Sequence, residues 1–221
     1  MKIEHCEFPD DLLYDPEGLV WARPLVSGGL IVGITSILAA LAGPVMKVAA
    51  KPLGVPYARG ATVGLLESGK YFGPIRAPAS GVLREVNADV LAKPRTLTDA
   101  SYEGGWFARL QPTNFEEERR GLRSATDARL FLSKQIAALR VRCFAAFPDH
   151  EMFEIGIECS AVLAKLNELL TRIEVGAVVH LVTDDPTSPI EMVRWSDQTG
   201  QPVIDERKEG NLFHFLVRKV T

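Results

Sequence analysis

No run of lysine and arginine, no alternation of basic and aromatic residues and no CxxC pair occurs in this 221-residue sequence. Each absence removes a class of function. Lys and Arg number 25 against 28 Asp and Glu, a formal charge of −3, which offers no electrostatic footprint for nucleic acid. Three cysteines, Cys6, Cys143 and Cys159, are an odd number at long spacings, neither a disulfide framework nor a metal-binding pattern. Such usage points to a reducing cytoplasm. His5, His150, His180 and His214 share no ligand spacing with one another or with acidic residues, so no metal site is expected. Gly28-Gly29 and Gly104-Gly105 precede no lysine-bearing helix start and read as turns rather than phosphate cradles. No Ser-His-Asp set emerges from spacing, and Met1-Lys2-Ile3-Glu4-His5 lacks the apolar core and cleavage site of a signal peptide.

What is present is an ordinary apolar fraction, 47%, in a chain long enough for two modest domains with real cores. From Val26 to Met46 there is no charged residue, a run that on length alone would span a bilayer. Ser27-Gly28-Gly29, Gly33, Gly43 and Pro44 punctuate it, so a turn, a strand and a short helix are expected in place of a membrane span. The helical part, Ile37-Leu38-Ala39-Ala40-Leu41-Ala42, has no polar face. Its outer side is therefore expected to be covered by the helix of residues 125–147, by the C-terminal domain or by a partner subunit.

The most informative stretch is Glu67-Ser68-Gly69-Lys70, followed by Ala77-Pro78-Ala79-Ser80-Gly81 and Glu85-Val86-Asn87. It reads as a strand, a tight turn carrying a lysine, and a second strand ending at a Pro/Ser/Gly break, which is how a β-hairpin displays one side chain at its tip. In that order these residues resemble the lipoyl-bearing carriers of the glycine-cleavage H type. Val20-Trp21, Val32-Gly33-Ile34-Thr35, Tyr102-Glu103-Gly104-Gly105-Trp106 and Gln111-Pro112 extend the resemblance over about half of the chain. It implies a strand at Leu30–Ile34, a helix at Ser36–Leu41 and covalent lipoate on Lys70, with Glu67 and Gly69 as tip residues.

A subgroup is implied as well. Cys6-Glu7-Phe8-Pro9-Asp10, Leu13-Tyr14-Asp15 and Glu67 through Pro74 look more like the lipoate-binding proteins of heterodisulfide-reductase-like sulfur oxidation. Glycine-cleavage carriers usually place Val before the lysine and small or acidic residues after it; here stand Gly69 and Tyr71-Phe72-Gly73-Pro74. Leu19 occupies the position, two before Trp21, where both subgroups usually have His. Residues 1–115 hold eleven Lys and Arg and eleven Asp and Glu, a neutral surface that fits a different set of partners from those of an acidic carrier.

Beyond residue 115 a charged segment leads into an apolar periodicity over Ala125–Phe147, which predicts one long amphipathic helix ending at Pro148, with Cys143 as a packed core thiol. A strand at Met152–Ile157, a helix from Ser160 to Arg172, a strand at Val178–Val182, a turn at Asp184-Asp185-Pro186 and a strand over Asn211–Lys219 follow. These residues resemble the small TusA-type sulfur-transfer domains: Gly156, Cys159, Gly176, Thr183 to Pro186 and Phe215 to Lys219 fall at that family's spacings. The resemblance makes Cys159, at a helix start, a candidate persulfide carrier. The helix dipole would lower its pKa while Glu158 would raise it. The family's Cys-Pro-x-Pro is here Cys159-Ser160-Ala161-Val162.

The expected architecture is α+β. Residues 1–115 form a lipoyl-type β barrel-sandwich hybrid, residues 116–147 a helical extension, and residues 148–221 a TusA-like two-layer α/β sandwich. The expected function is that of a non-enzymatic, cytoplasmic lipoyl carrier in sulfur oxidation. Its expected partners are a lipoate-attaching enzyme and a heterodisulfide-reductase-like complex or other sulfur-transfer proteins. The alternatives are an aminomethyl carrier of a glycine-cleavage system and a lipoyl carrier whose C-terminal domain serves only for docking.

Overall fold

Glycine and proline cut the uncharged stretch as the sequence implies. In the computed structural model, which describes residues 1–221, a turn carries Gly28 in the left-handed region, and strand, helix and strand follow. No helix is long and apolar enough to cross a membrane. The chain divides into two units, Met1–Cys143 and Phe144–Thr221.

In the first unit β1 (Lys2–Ile3) and β2 (Cys6–Glu7) form a short ribbon. Then come β3 (Leu13–Asp15), β4 (Val20–Pro24), β5 (Leu30–Ile34), α1 (Ser36–Ala42), β6 (Val45–Ala50), β7 (Pro56–Tyr57), β8 (Thr62–Ser68), β9 (Phe72–Arg76) and β10 (Gly81–Val86). After them the chain forms α2 (Ala88–Ala92), α3 (Thr96–Asp99), β11 (Ala108–Pro112), α4 (Phe115–Glu118) and α5 (Ala125–Leu139). The larger sheet has the order β3-β4-β5-β11-β10-β7 and the smaller β6-β8-β9.

The family-like segments outside the hairpin tip hold this unit together. Asn87 caps α2, and its amide donates to Gly104 O and Trp106 O, both at 2.8 Å. Ser80 donates from its backbone N and its hydroxyl to the Glu118 carboxylate, 2.6 Å each. Gly81 lies so close to β11 that a Cβ would meet Gln111 O at 2.4 Å, which excludes any other residue there.

One expectation about residues 116–147 is corrected. Helix α5 stops at Leu139, not Phe147, because Arg140 turns left-handed (φ 50°) and its N–H caps the last turn on Ile136 O and Ala137 O. The segment packs on the apolar helix, one of the covers the sequence reading named. Ala125, Ala128, Leu132 and Ile136 are buried in one core with Phe8, Tyr14, Trp21 and, from α1, Ile37 and Ala40. That contact supplies the cover the apolar helix needs; Ile37 and Leu38 are at most 2% exposed.

The cysteine reading also changes. Cys143 is not a free core thiol: its Sγ is bonded to that of Cys6, 1.93 Å away, across a sequence separation of 137. Spacing could not reveal this, because the two meet only once β2 and the segment after α5 join the same core.

The second unit runs β12 (His150–Glu154), α6 (Cys159–Arg172), β13 (Val178–Thr183), α7 (Ser188–Thr199), β14 (Val203–Glu209) and β15 (Leu212–Arg218). Its sheet order is β12-β13-β15-β14, with β12 parallel to β13 and the other pairs antiparallel. Val162, Leu166 and Leu170 of α6 and Met192 and Trp195 of α7 pack on Val179, Leu181, Phe215 and Val217, so both helices cover one face and the unit is a two-layer α/β sandwich. Helix α7 and strand β14 lie where the sequence reading placed only a turn and a connection.

A cross-link closing so long a loop stabilises the first unit mainly by restricting the unfolded chain, by up to about 5 kcal/mol in the loop-entropy model. Urea unfolding of the full chain is therefore expected to shift to lower midpoints on adding reductant. Cys6→Ser without reductant should match the reduced parent, and reductant should not shift the variant further. Identical midpoints for oxidised and reduced parent would refute the cross-link's contribution.

Candidate functional site

The β8–β9 hairpin ends in Ser68-Gly69-Lys70-Tyr71, and Ser68 organises it. Its backbone N donates to Tyr71 O at 2.8 Å. Its hydroxyl accepts from Lys70 N at 3.3 Å and Tyr71 N at 3.1 Å, and donates to Ala42 O at 2.6 Å. The tip is thereby tied to the C-terminal end of α1. Gly43, left-handed at φ 69°, caps that helix through its N–H on Ala39 O.

Lys70 is exposed and lies back along the same helix end. Its Nζ donates to Ala40 O at 3.5 Å, and a Cβ on residue 43 would stand 2.9 Å from Lys70 Cε. The bare glycine thus makes the groove in which the lysine stem rests, and the carbonyl end of the helix favours a cation there. The structure gathers Glu67, Gly69 and Lys70 at one tip, as the sequence predicted. Glu67 is exposed and pairs across strands with Lys47 and Phe72. Gly69 meets no steric demand: its φ is not left-handed, and a Cβ there would face open space. Sequence reasoning passed over Ser68 as a tip organiser, though it stands inside the recognised segment. It also passed over Gly43, which no local signal connects to residue 70.

Helix α1 is braced at its other end. Thr35 caps it through its hydroxyl, Ser36 N donates to Tyr102 Oη at 2.8 Å, and Ser36 Oγ donates to Glu7 O at 2.9 Å. Burial pushes the Tyr102 hydroxyl well above the ordinary tyrosine range, so it stays a neutral acceptor and donor. The departure at Leu19 has a structural counterpart. This residue is left-handed at φ 52°, and its carbonyl accepts from both the backbone and the hydroxyl of Thr35 at 3.0 Å.

Cys159 belongs to the second unit and is the first residue of α6. Its thiol is not poised as a nucleophile. The residue is 5% exposed, and its backbone N donates to Asp185 Oδ2 at 2.7 Å. Asp185 is held below the usual carboxylate range by hydrogen bonds from the Thr187 backbone and hydroxyl and from Cys159 N, so an ionised carboxylate occupies the helix N-terminus. Burial first, then Asp185 and Glu191, pushes the thiol up to about 11, the reverse of the depression expected from the helix dipole alone. The reading of Asp184-Asp185-Pro186 as turn chemistry fits: Asp184 accepts from Gly156 N and Asp185 from Thr187. The histidines, dispersed in sequence, include one pair the fold assembles. His180 and His214 stack with ring nitrogens 3.0 Å apart beside Phe144.

An exposed lysine held at a braced hairpin tip is within reach of other proteins and has a fixed origin. Residues 12–135 match the family model described as Glycine cleavage H-protein. The chain is 41% identical over 118 residues to the probable glycine cleavage system H protein 2 of Sulfurisphaera tokodaii, covering 52% of this chain and 80% of the relative. It is 36% identical over 138 residues to glycine cleavage system H protein 2 of Aquifex aeolicus, covering 62% and 86%, respectively. With H protein 5 of the same organism it shares 32% identity over 146 residues, 64% of this chain and 98% of the relative. The chain belongs to the glycine cleavage H-protein family, whose members carry lipoate covalently on a lysine. The family match ends before the second unit, which begins at Phe144.

The raised Cys159 thiol has a signed consequence. Between about pH 9 and 11 the unfolded chain releases its thiol proton while the folded unit keeps it, so the folded state falls in stability as pH rises through that window. Alkylation of Cys159 should accelerate only toward the upper end of the same range. Asp185→Asn should bring that onset down, and Cys159→Ala should remove the thiol's share of the alkaline loss of stability. Fast labelling of Cys159 near neutral pH in the folded parent would contradict the geometry.

Proposed function

We infer that Lys70 bears the lipoyl arm and that the protein is a carrier for sulfur oxidation, working with a lipoate-attaching enzyme and a heterodisulfide-reductase-like complex or other sulfur-transfer proteins. The observation that carries the first part is the exposed Lys70 on a turn fixed by Ser68 to the end of α1. Such a base gives a long arm a defined origin, and the groove over Gly43 leaves room for the stem. The arm itself supplies reversible dithiol–disulfide chemistry and a tether for cargo.

The sulfur reading draws on the tip residues Gly69 and Tyr71-Phe72-Gly73-Pro74, and on eleven charges of each sign over residues 1–115. Both depart from the glycine-cleavage pattern. Aquifex aeolicus holds H proteins numbered 2, 3 and 5, so carriers of this kind are multiplied within one organism and can serve different partner sets. Sulfur is assigned to a separate donor, not to Cys159, whose enclosed thiol and carboxylate neighbour make it a poor acceptor. The second unit is assigned to docking of the carrier. The other reading, an aminomethyl carrier for glycine cleavage, is favoured by the names of the relatives.

Intact-mass measurement of the full chain from a lipoate-competent host is expected to show one lipoyl addition, abolished by Lys70→Arg without loss of fold. Persistence of the addition in that variant ends the assignment. The modified chain should support turnover of a heterodisulfide-reductase-like complex with a persulfide donor and fail in bicarbonate exchange with a glycine decarboxylase. The opposite pair of results selects the glycine-cleavage reading.

A further inference from the structure

The outer face of the β6-β8-β9 sheet sets large apolar side chains beside Lys70. Cross-strand register sets its rows: Lys47, Glu67 and Phe72 stand side by side, then Ala49, Leu65 and Pro74. Alternation sends their neighbours inward, where Leu66 and Ile75 are fully buried. A register shift between Val45 and Lys47 sets Met46 beside the first row. Phe72 is 68% and Met46 67% exposed, and Ala49 is exposed as well. Lys47 and Glu67 offset each other's charge within the first row.

This face begins two residues from Lys70. Attachment of lipoate joins Lys70 Nζ to the acyl carbon of an activated lipoate, expels the activating group and releases an amine proton to solvent. An active site must therefore close around the tip, and whatever closes around Lys70 also meets Phe72. We propose that Phe72, Met46 and the Ala49-Leu65-Pro74 row form the docking face for the lipoate-attaching enzyme, which presents an apolar rim around its acyl site. Phe72 is the anchor: a large, preformed aromatic surface at the point of contact is where binding energy concentrates. Arg76 continues the Phe72 and Pro74 alternation on the same face, so the face is weakly basic, and docking on it depends mainly on apolar contact, with only a modest dependence on salt. The proposal rests on Lys70 being the attachment site.

The test measures lipoate attachment to the unmodified full chain by intact mass, with the purified attaching enzyme, at low and high salt. Phe72→Glu and Met46→Glu are the probes, and Lys70→Arg reports on the attachment site. Val26→Glu is the control, because Val26 is fully exposed in the turn between β4 and β5. Phe72→Glu is expected to lower kcat/KM for attachment by at least about 10-fold, and Met46→Glu by less. Val26→Glu should react like the parent, with unchanged melting temperatures and only modest salt dependence throughout. Attachment to Phe72→Glu at the parent rate overturns the proposal, as does a rate that collapses with salt in the parent. Normal attachment to Phe72→Glu with impaired turnover of a downstream redox partner also overturns it, by giving the face to that partner. Attachment that survives Lys70→Arg fails the underlying site assignment instead, so the two failures are distinguishable.

Discussion

Burial of one uncharged helix is the constraint on which the site depends. Helix α1 can lose its apolar side chains to the core only where other elements cover it, and each fully buried large side chain contributes on the order of 1.5–3 kcal/mol. Helix α5 provides that cover against Ile37 and Ala40. The Cys6–Cys143 bond then joins the ribbon strand before the helix to the segment just after α5. With its flank packed and its N-terminus held by Thr35 and Tyr102, the helix has one free end left. That end accepts the Ser68 hydroxyl and the Lys70 amine. Core packing thus sets the position of the lysine at second hand, through backbone carbonyls and without any side chain of α1.

The second unit shows how the same physics that activates a thiol elsewhere is countered. A helix N-terminus offers unpaired N–H groups and a partial positive charge, and an anion placed there is favoured. At α6 that anion is the Asp185 carboxylate, fixed by Thr187 and bonded to Cys159 N. The thiol next to it meets a filled position, a negative neighbour and little water. Desolvation first, then Asp185 and Glu191, raises the thiol's pKa.

What could be read from the sequence follows the range of the forces involved. The hairpin tip was legible because a two-residue turn between alternating strands is a local signal, and α1 because glycine and proline bounded it. Helix α5 was legible in its face but not in its end: apolar residues continue through Val141 and Phe144, whereas the stop is a left-handed Arg140 that no composition rule marks. Helix α7 and strand β14 were missed for opposite reasons. The helix buries only Met192 and Trp195 among its large apolar residues and leaves Ile190 and Val193 exposed. The strand, Val-Ile-Asp-Glu-Arg-Lys-Glu, reads as a charged loop until β15 pairs with it. The disulfide, the Gly43 groove and the His180–His214 pair were invisible because each joins residues distant in sequence.

With Lys70 proposed as the attachment site, the same helix end gives the carrier a way to differ before and after modification. The unmodified lysine brings an ammonium to the carbonyl end of α1, where the dipole favours positive charge and Ala40 O accepts. Amide formation removes that charge, so the attraction to the helix end weakens, while the Ser68 contacts, which use only backbone and hydroxyl groups, are untouched. The turn therefore keeps its shape as its side chain loses its anchor. With the cation gone, Lys47 and Glu67 remain as an offsetting pair beside Phe72 and Met46. A partner that approaches the tip thus meets the same fixed backbone in both states but a less charged and more apolar surface once the arm is in place.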